Sequence, residues 1–234
     1  MQTAAKEAKT GEITKLAVFD FDGTTISGQS GALFSQYLFA HGYLSKKAAA
    51  KLMWWGVRYK LHLPYNQDEP REAIFMDLKC LDPRQISSIM RNFHGEKLVP
   101  RYKKQAIDEI KKRKAEGCHV LLVSATFHEI AEAAGEYMGV DDVIATHMQV
   151  DDMGRFTGKV DGIAIEGEAK PQAVRKWANS KYGNGKWELT YAYGDHHSDE
   201  ELLSAAKHSF PVCPGETLKR IAKKNNWTIL EWGK

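Results

Sequence analysis

A chain of 234 residues with 43% apolar and 27% charged side chains can bury a substantial core, which excludes disorder as its main state. A net charge of +3 is too small for the strong basic face that nucleic-acid binding needs. Three dispersed cysteines, Cys80, Cys118 and Cys213, give neither a disulfide framework nor a cysteine-based zinc site. No apolar run is long enough to span a bilayer and no signal-type stretch precedes Lys15, so the expectation is a cytoplasmic protein.

Residues 1–12 read as a polar, frayed tail. Leu16 to Phe19 is a short continuous apolar run ending in Asp20. Val120 to Val123 repeats the pattern and ends in Ser124, and Leu189 to Tyr193 repeats it before Gly194-Asp195. Such runs suit parallel strands buried on both faces. From Asp20 to Ser124 is 104 positions, whereas a β-α-β unit takes about 30 residues. Residues 26–98 are therefore read as an inserted helical domain, with the α/β core at 13–25 and 99–234. In the insert, Ala48, Leu52, Trp55 and Tyr59 form one stripe, and Trp54, Val57 and Leu61 nearly complete the circle. A helix apolar on most sides has to be covered by others.

Pro100 opens an amphipathic segment that Gly117 ends. Its run Lys111-Lys112-Arg113-Lys114 reads as one solvated helix face. Ile130, Ala134, Tyr137 and Met138 recur at helical spacing before Gly139. Val143 to Val150 and Phe156 to Val160 flank Gly154 as a hairpin, and Pro171 opens another helix. Ser198 and Glu201 have capping-box spacing. Alternating strands and helices imply an α/β fold with a parallel sheet, whose ligands bind beyond the carboxyl ends of the strands.

The polar residues at those ends carry the chemistry. Strand alternation puts Asp20 and Asp22 on one side with Phe21 turned away, and two close carboxylates call for a cation or a shared proton. Gly23 permits a tight turn that presents N–H groups to an anion. Ser124, with Ala125 and Thr126 leading into a helix, makes a second anion-binding corner. Lys170 precedes a helix, and Asp195 and Asp199 follow the third run.

This order, Asp-x-Asp, Ser, Lys, Asp-x3-Asp, resembles the four motifs of the haloacid dehalogenase superfamily over about residues 14–213. The helical insert is similar to the C1-type cap of its phosphoserine-phosphatase-like branch, subfamily IB. The resemblance implies a Rossmann-like core and a Mg2+-dependent phosphomonoesterase acting on a small-molecule phosphomonoester, a metabolite or a head group. It implies Asp20 as nucleophile and Asp22 as general acid–base. Asp20, Asp22 through its carbonyl, and Asp195 would hold the metal, and Asp199 would hold metal-bound water or orient Lys170. Ser124, Lys170 and the N–H groups of Phe21, Gly23 and Ala125 would bind the phosphoryl oxygens.

Two positions depart from the pattern. His196, followed by His197, stands where relatives often carry Ser, which opens the alternative of a His/Asp transition-metal phosphohydrolase. Gln29 stands nine positions after the nucleophile, where phosphoserine phosphatases carry Glu. A catalytically silent binding module is the remaining alternative. Trp54, Trp55, Arg58, Tyr59, Tyr65 and Arg71 are candidates for reading the leaving group, either a choline-like cation or an apolar moiety.

Overall fold

The structure, a computed structural model, describes residues 13–61, 63–64, 66 and 68–233. The expected tail at 1–12 and Tyr65 lie outside them. Five parallel strands form the central sheet: β1 (Thr14–Asp20), β2 (His119–Phe127), β3 (Asp142–Thr146), β6 (Trp187–Gly194) and β7 (His208–Pro211). The order is β3-β2-β1-β6-β7. The chain runs outward from β1 on one side and returns on the other, so β1 and β6 flank a topological switch point. Leu16 to Phe19 and Val120 to Val123 are fully buried, as strands covered on both faces require.

Helices cover the sheet. On one face lie α7 (Ala169–Tyr182), α8 (Glu200–Ser204) and α9 (Glu216–Lys224), whose Val174, Leu202 and Leu218 pack with Leu16, Val18 and Leu121. On the other lie α5 (Lys104–Ala115) and α6 (His128–Met138), with Ile110, Ile130 and Ala134 against Phe19 and Leu122. An aromatic ladder crosses this face: Phe19 stacks on Tyr193 at 4.1 Å between centroids, and Tyr193 on Phe210 at 5.0 Å.

The long connection from β1 to β2 is helical: α1 (Ser30–Ala40), α2 (Lys46–Lys60), α3 (Glu69–Leu78) and α4 (Pro83–Phe93) precede α5. Their apolar side chains join the core cluster without a gap. Phe34 and Phe75 lie 5.8 and 4.9 Å from the Phe127 ring at the end of β2, and Phe93 lies 4.9 Å from Phe34.

Several local expectations change. The run from Val143 to Val150 is two strands: β3 belongs to the main sheet, and only β4 (Met148–Val150) pairs with β5 (Phe156–Val160) in the hairpin. The chain leaves the sheet between them, and the hairpin packs on α3 through Phe75 and Phe156. Pro100 sits in a 3-10 turn (Val99–Arg101), and α5 begins at Lys104. The capping box is made by His196 and Asp199, two residues before the expected pair. Arg113 is no solvated residue: it is buried, donates to Tyr193 Oη at 2.8 Å and Glu116 at 2.7 Å, pairs with Glu109, and lies 3.8 Å from the Tyr191 ring centroid. The outer side of α2 is uncovered: Met53, Trp54, Val57 and Leu61 face solvent.

Asp141 ties α6 and β3 to the start of β2. Its carboxylate accepts from Val120 N–H at 2.9 Å and pairs with Lys114 at 2.8 Å. Partial burial opposes ionisation, yet these bonds hold the carboxyl below its ordinary range. A depressed folded-state pKa contributes stability that is complete above about pH 4 and is lost as pH falls through the folded value. Asp141→Asn is expected to cost about 1 kcal/mol at neutral pH, screened by partial exposure, with a smaller gap from wild type at about pH 3. Urea unfolding of both proteins at the two pH values checks it.

Candidate active site

The site lies at the carboxyl ends of β1, β2 and β6. Asp20 is the last residue of β1 and is buried, with both carboxylate oxygens engaged. Lys170 Nζ donates to Oδ1 at 2.6 Å, and Thr24 Oγ1 donates to Oδ2 at 3.0 Å. Lys170 enters from the first turn of α7 and also donates to Asp199 Oδ1 at 2.5 Å. Asp195 follows β6 and completes the group: Asp20, Asp195 and Asp199 each offer an oxygen within 4.8 Å of the others.

Two glycines make this approach possible. Gly23 has φ +78°, and a Cβ there would stand 2.0 Å from Asp195 Oδ2. A Cβ on Gly194 would stand 2.7 Å from the Asp199 Cβ, although its backbone would suit any residue.

The electrostatics are unbalanced. Three carboxylates meet one directly bonded lysine. Burial raises the Asp20 carboxyl most, and Asp199 and Asp195 raise it further against the pull of Lys170. Burial and Asp199 push Asp195 up to about 7. Burial opposes the charge on Lys170, but Asp20 and Asp199 outweigh it and hold the ammonium firmly protonated. With all three carboxyls ionised the cluster would carry two negative charges beyond the one Lys170 balances, and the raised pKa values of Asp20 and Asp195 express that repulsion along with burial. A divalent cation supplies that difference, and an all-carboxylate donor set suits a small, hard one such as Mg2+. The residues present therefore fit the expected metal. Among the described residues no histidine belongs to the cluster; His196 instead takes part in the capping box, with Nδ1 3.0 Å from Ser198 Oγ.

Asp22 departs from expectation. β1 ends at Asp20, so strand alternation stops there, and the Asp22 carboxylate is not one of the three clustered acids although it feels the Lys170 charge. It accepts from Ser30 N–H at 2.6 Å and Ser30 Oγ at 2.9 Å, at the start of α1. Burial raises it to about 6 despite those bonds. Thr126 Oγ1 lies 2.9 Å from Ser30 Oγ, which links Asp22 to the loop after β2. In that loop Ser124 Oγ accepts from Thr126 N–H at 3.0 Å. Gly23 N–H, expected to face an anion, is taken by the Gly28 carbonyl at 3.1 Å.

Thr24, Ser30 and Lys103 were not foreseen as site residues. Thr24 sits within the first motif and was legible there. Lys103 is buried at the head of α5, and its ammonium donates to the Gly23 carbonyl, 80 positions away in sequence.

The leaving-group candidates separate. Arg71, on α3, reaches the site: its Nε donates to the Ala125 carbonyl at 3.2 Å, and Nη2 donates to Glu166 at 3.0 Å. Trp55 donates to the Asn66 carbonyl at 2.8 Å and stacks on Tyr59, and Arg58 pairs with Glu69. Trp54 faces solvent, and Gln29 is an exposed N-cap of α1.

A family model for haloacid dehalogenase-like hydrolases matches residues 17–204. The chain belongs to that family. A relative named as a probable phosphatase of Mycobacterium tuberculosis is 30% identical over 220 residues, 93% of this chain and 75% of its own. A relative named histidinol-phosphatase, from Neisseria meningitidis, is 23% identical over 228 residues, 93% of this chain and 98% of its own. A crystal structure of a protein of unknown function from Bordetella pertussis superposes with a TM-score of 0.85 at 25% identity, covering 94% of this chain and 99% of that one. Family membership agrees with the parallel core and with the order of the motifs at its strand ends.

Gly194→Ala tests whether the cluster depends on close packing. The added methyl displaces Asp199 and, through it, Lys170, with no backbone strain. Titration calorimetry with MgCl2 is expected to show affinity about tenfold weaker than wild type, and unchanged affinity would sever Asp199 from the metal site.

Proposed function

We propose that this hydrolase is a Mg2+-dependent phosphatase that cleaves a small phosphorylated metabolite or head group through an aspartyl-phosphate on Asp20. The observation that carries the reading is the lysine shared between Asp20 and Asp199, with Asp195 in the same cluster. Lys170 and Thr24 fix the Asp20 carboxylate, so a nucleophile is oriented before substrate arrives. The relatives named phosphatase support the activity, and their different names leave the substrate open.

In the proposed first step an Asp20 oxygen bonds to phosphorus as the bond to the leaving oxygen breaks. That oxygen takes a proton from Asp22. In the second step water attacks the phosphoryl group, Asp22 accepts its proton, and inorganic phosphate leaves with Asp20 restored. A group that must be acid in one step and base in the next works best with a pKa near the operating pH, and burial places Asp22 at about 6. Lys170 offsets the repulsion between the phosphoryl group and the Asp20 anion. Asp20 and Asp195, with Asp199 beside them, would hold Mg2+, which when bound adds positive charge against the phosphoryl oxygens. Ser124, Phe21 and Ala125 remain the proposed phosphoryl-binding groups, and Arg71 is best placed to read the leaving group.

Asp20→Asn is expected to lower p-nitrophenyl phosphate hydrolysis roughly a thousandfold or more while thermal unfolding stays near wild type. Acid-quenched wild-type protein should carry an adduct of about 80 Da that Asp20→Asn lacks. A variant retaining about a tenth of the rate would remove Asp20 from the nucleophile's place.

The metal assignment has its own check. EDTA should abolish hydrolysis and Mg2+ restore it, with His196→Ala and His197→Ala restored at the same Mg2+ concentration within about twofold. A requirement for Mn2+ or Fe2+ that either histidine variant abolishes would transfer the metal to imidazole ligands.

A further inference from the structure

α2 carries two apolar stripes, and the molecule covers one. Ala48 is buried and Leu52 is half-buried against the core, while half-buried Trp55 donates to the Asn66 carbonyl. The other stripe is Met53, Trp54, Val57 and Leu61, which follow one another at helical spacing on a single face. Met53 is 74% and Trp54 57% exposed, and Leu63, past the helix, is exposed as well. Exposed Lys60 flanks it on one side and exposed Lys47 and Lys51 on the other, and exposed Lys46 stands ahead of it at the helix start. No Asp or Glu occurs from residue 41 to 67.

We infer that this face of α2 docks on an anionic membrane surface. A bilayer interface meets both demands of the stripe at once. It takes Trp, Met, Val and Leu to the boundary between headgroups and acyl chains, while the flanking lysines meet lipid phosphates. A second copy of the chain fits less well, because a two-fold contact would set the lysine rims against each other. A groove on a partner protein would take the same ridge only if both of its rims were acidic, whereas an anionic bilayer meets the lysines along its whole plane.

The location links the face to the site. Arg58 turns away from the ridge to pair with Glu69 at the first turn of α3. From that helix Arg71 reaches the Ala125 carbonyl beside Ser124. The docking helix is thus joined to the active site through one neighbouring helix. Membrane attachment needs no turnover, so it stands or falls separately from the phosphatase reading.

Co-sedimentation of the full chain with vesicles tests the inference. Binding is expected to vesicles of phosphatidylcholine with about 30% phosphatidylglycerol, about tenfold or more tighter than to phosphatidylcholine alone, and weakened in about 0.5 M NaCl. Two sets of variants are expected to lose about tenfold or more in binding: Met53→Ser with Val57→Ser and Leu61→Ser, and Lys46→Gln with Lys47→Gln, Lys51→Gln and Lys60→Gln. All these residues are exposed, and circular dichroism and thermal unfolding verify that the fold is kept. Equal binding to the two vesicle types, or wild-type binding by either set, overturns the inference. So does a lipid-free dimer in light scattering that the serine set dissociates, which would assign the face to a second copy.

Discussion

The placement of one buried ammonium organises this molecule. Lys170 lies between Asp20 and Asp199 in a region nearly closed to water, and those three residues come from β1, α7 and the turn after β6. Buried ion pairs contribute little to stability relative to apolar packing, and removing one partner costs about 3–5 kcal/mol because the other is left unpaired. The arrangement is therefore held in place by the sheet and helices around it rather than holding them. Ionising all three carboxyls leaves negative charge that Lys170 alone does not balance, which is the demand a bound cation would meet.

Much of this was legible in the chain. β1, β2 and β6 stand out because strands buried on both faces read as unbroken apolar runs, and their polar ends carry the motifs. β7 escaped notice: His208–Pro211 is four residues long and begins with an exposed histidine. β3 was merged with β4 because one apolar stretch runs through the point where the chain leaves the sheet. Arg113 was hidden in a basic run, since composition does not tell which member of a run faces inward toward Glu109, Glu116 and Tyr193.

Within the site, residues at strand ends were foreseen and residues supplied by other segments were not. Ser30 holds Asp22 from the start of α1, and Lys103 holds the Gly23 carbonyl from the head of α5. Neither pairing has a local spacing by which to find it. The same limit applies to Asp22, whose alternation with Asp20 is lost once the strand ends. On α2 the apolar pattern was read correctly but its burial was not, because periodicity shows which residues share a face and not whether the protein covers that face.

The aromatic seam between the insert and the sheet bears on time as well as shape. Phe34 and Phe75 close over Phe127 and Phe93 backs Phe34, so swinging all four inserted helices away from the strand ends would bring those rings into water together. α2 buries little beyond Ala48 and shares no part of the seam. Opening on the microsecond-to-millisecond scale falls to such weakly anchored elements, and amide protons in α2 should exchange well before those of α1 and α4. Access to the cluster of Asp20, Asp195 and Asp199 would then require only partial loosening at one edge of the inserted helices, with the aromatic seam left closed.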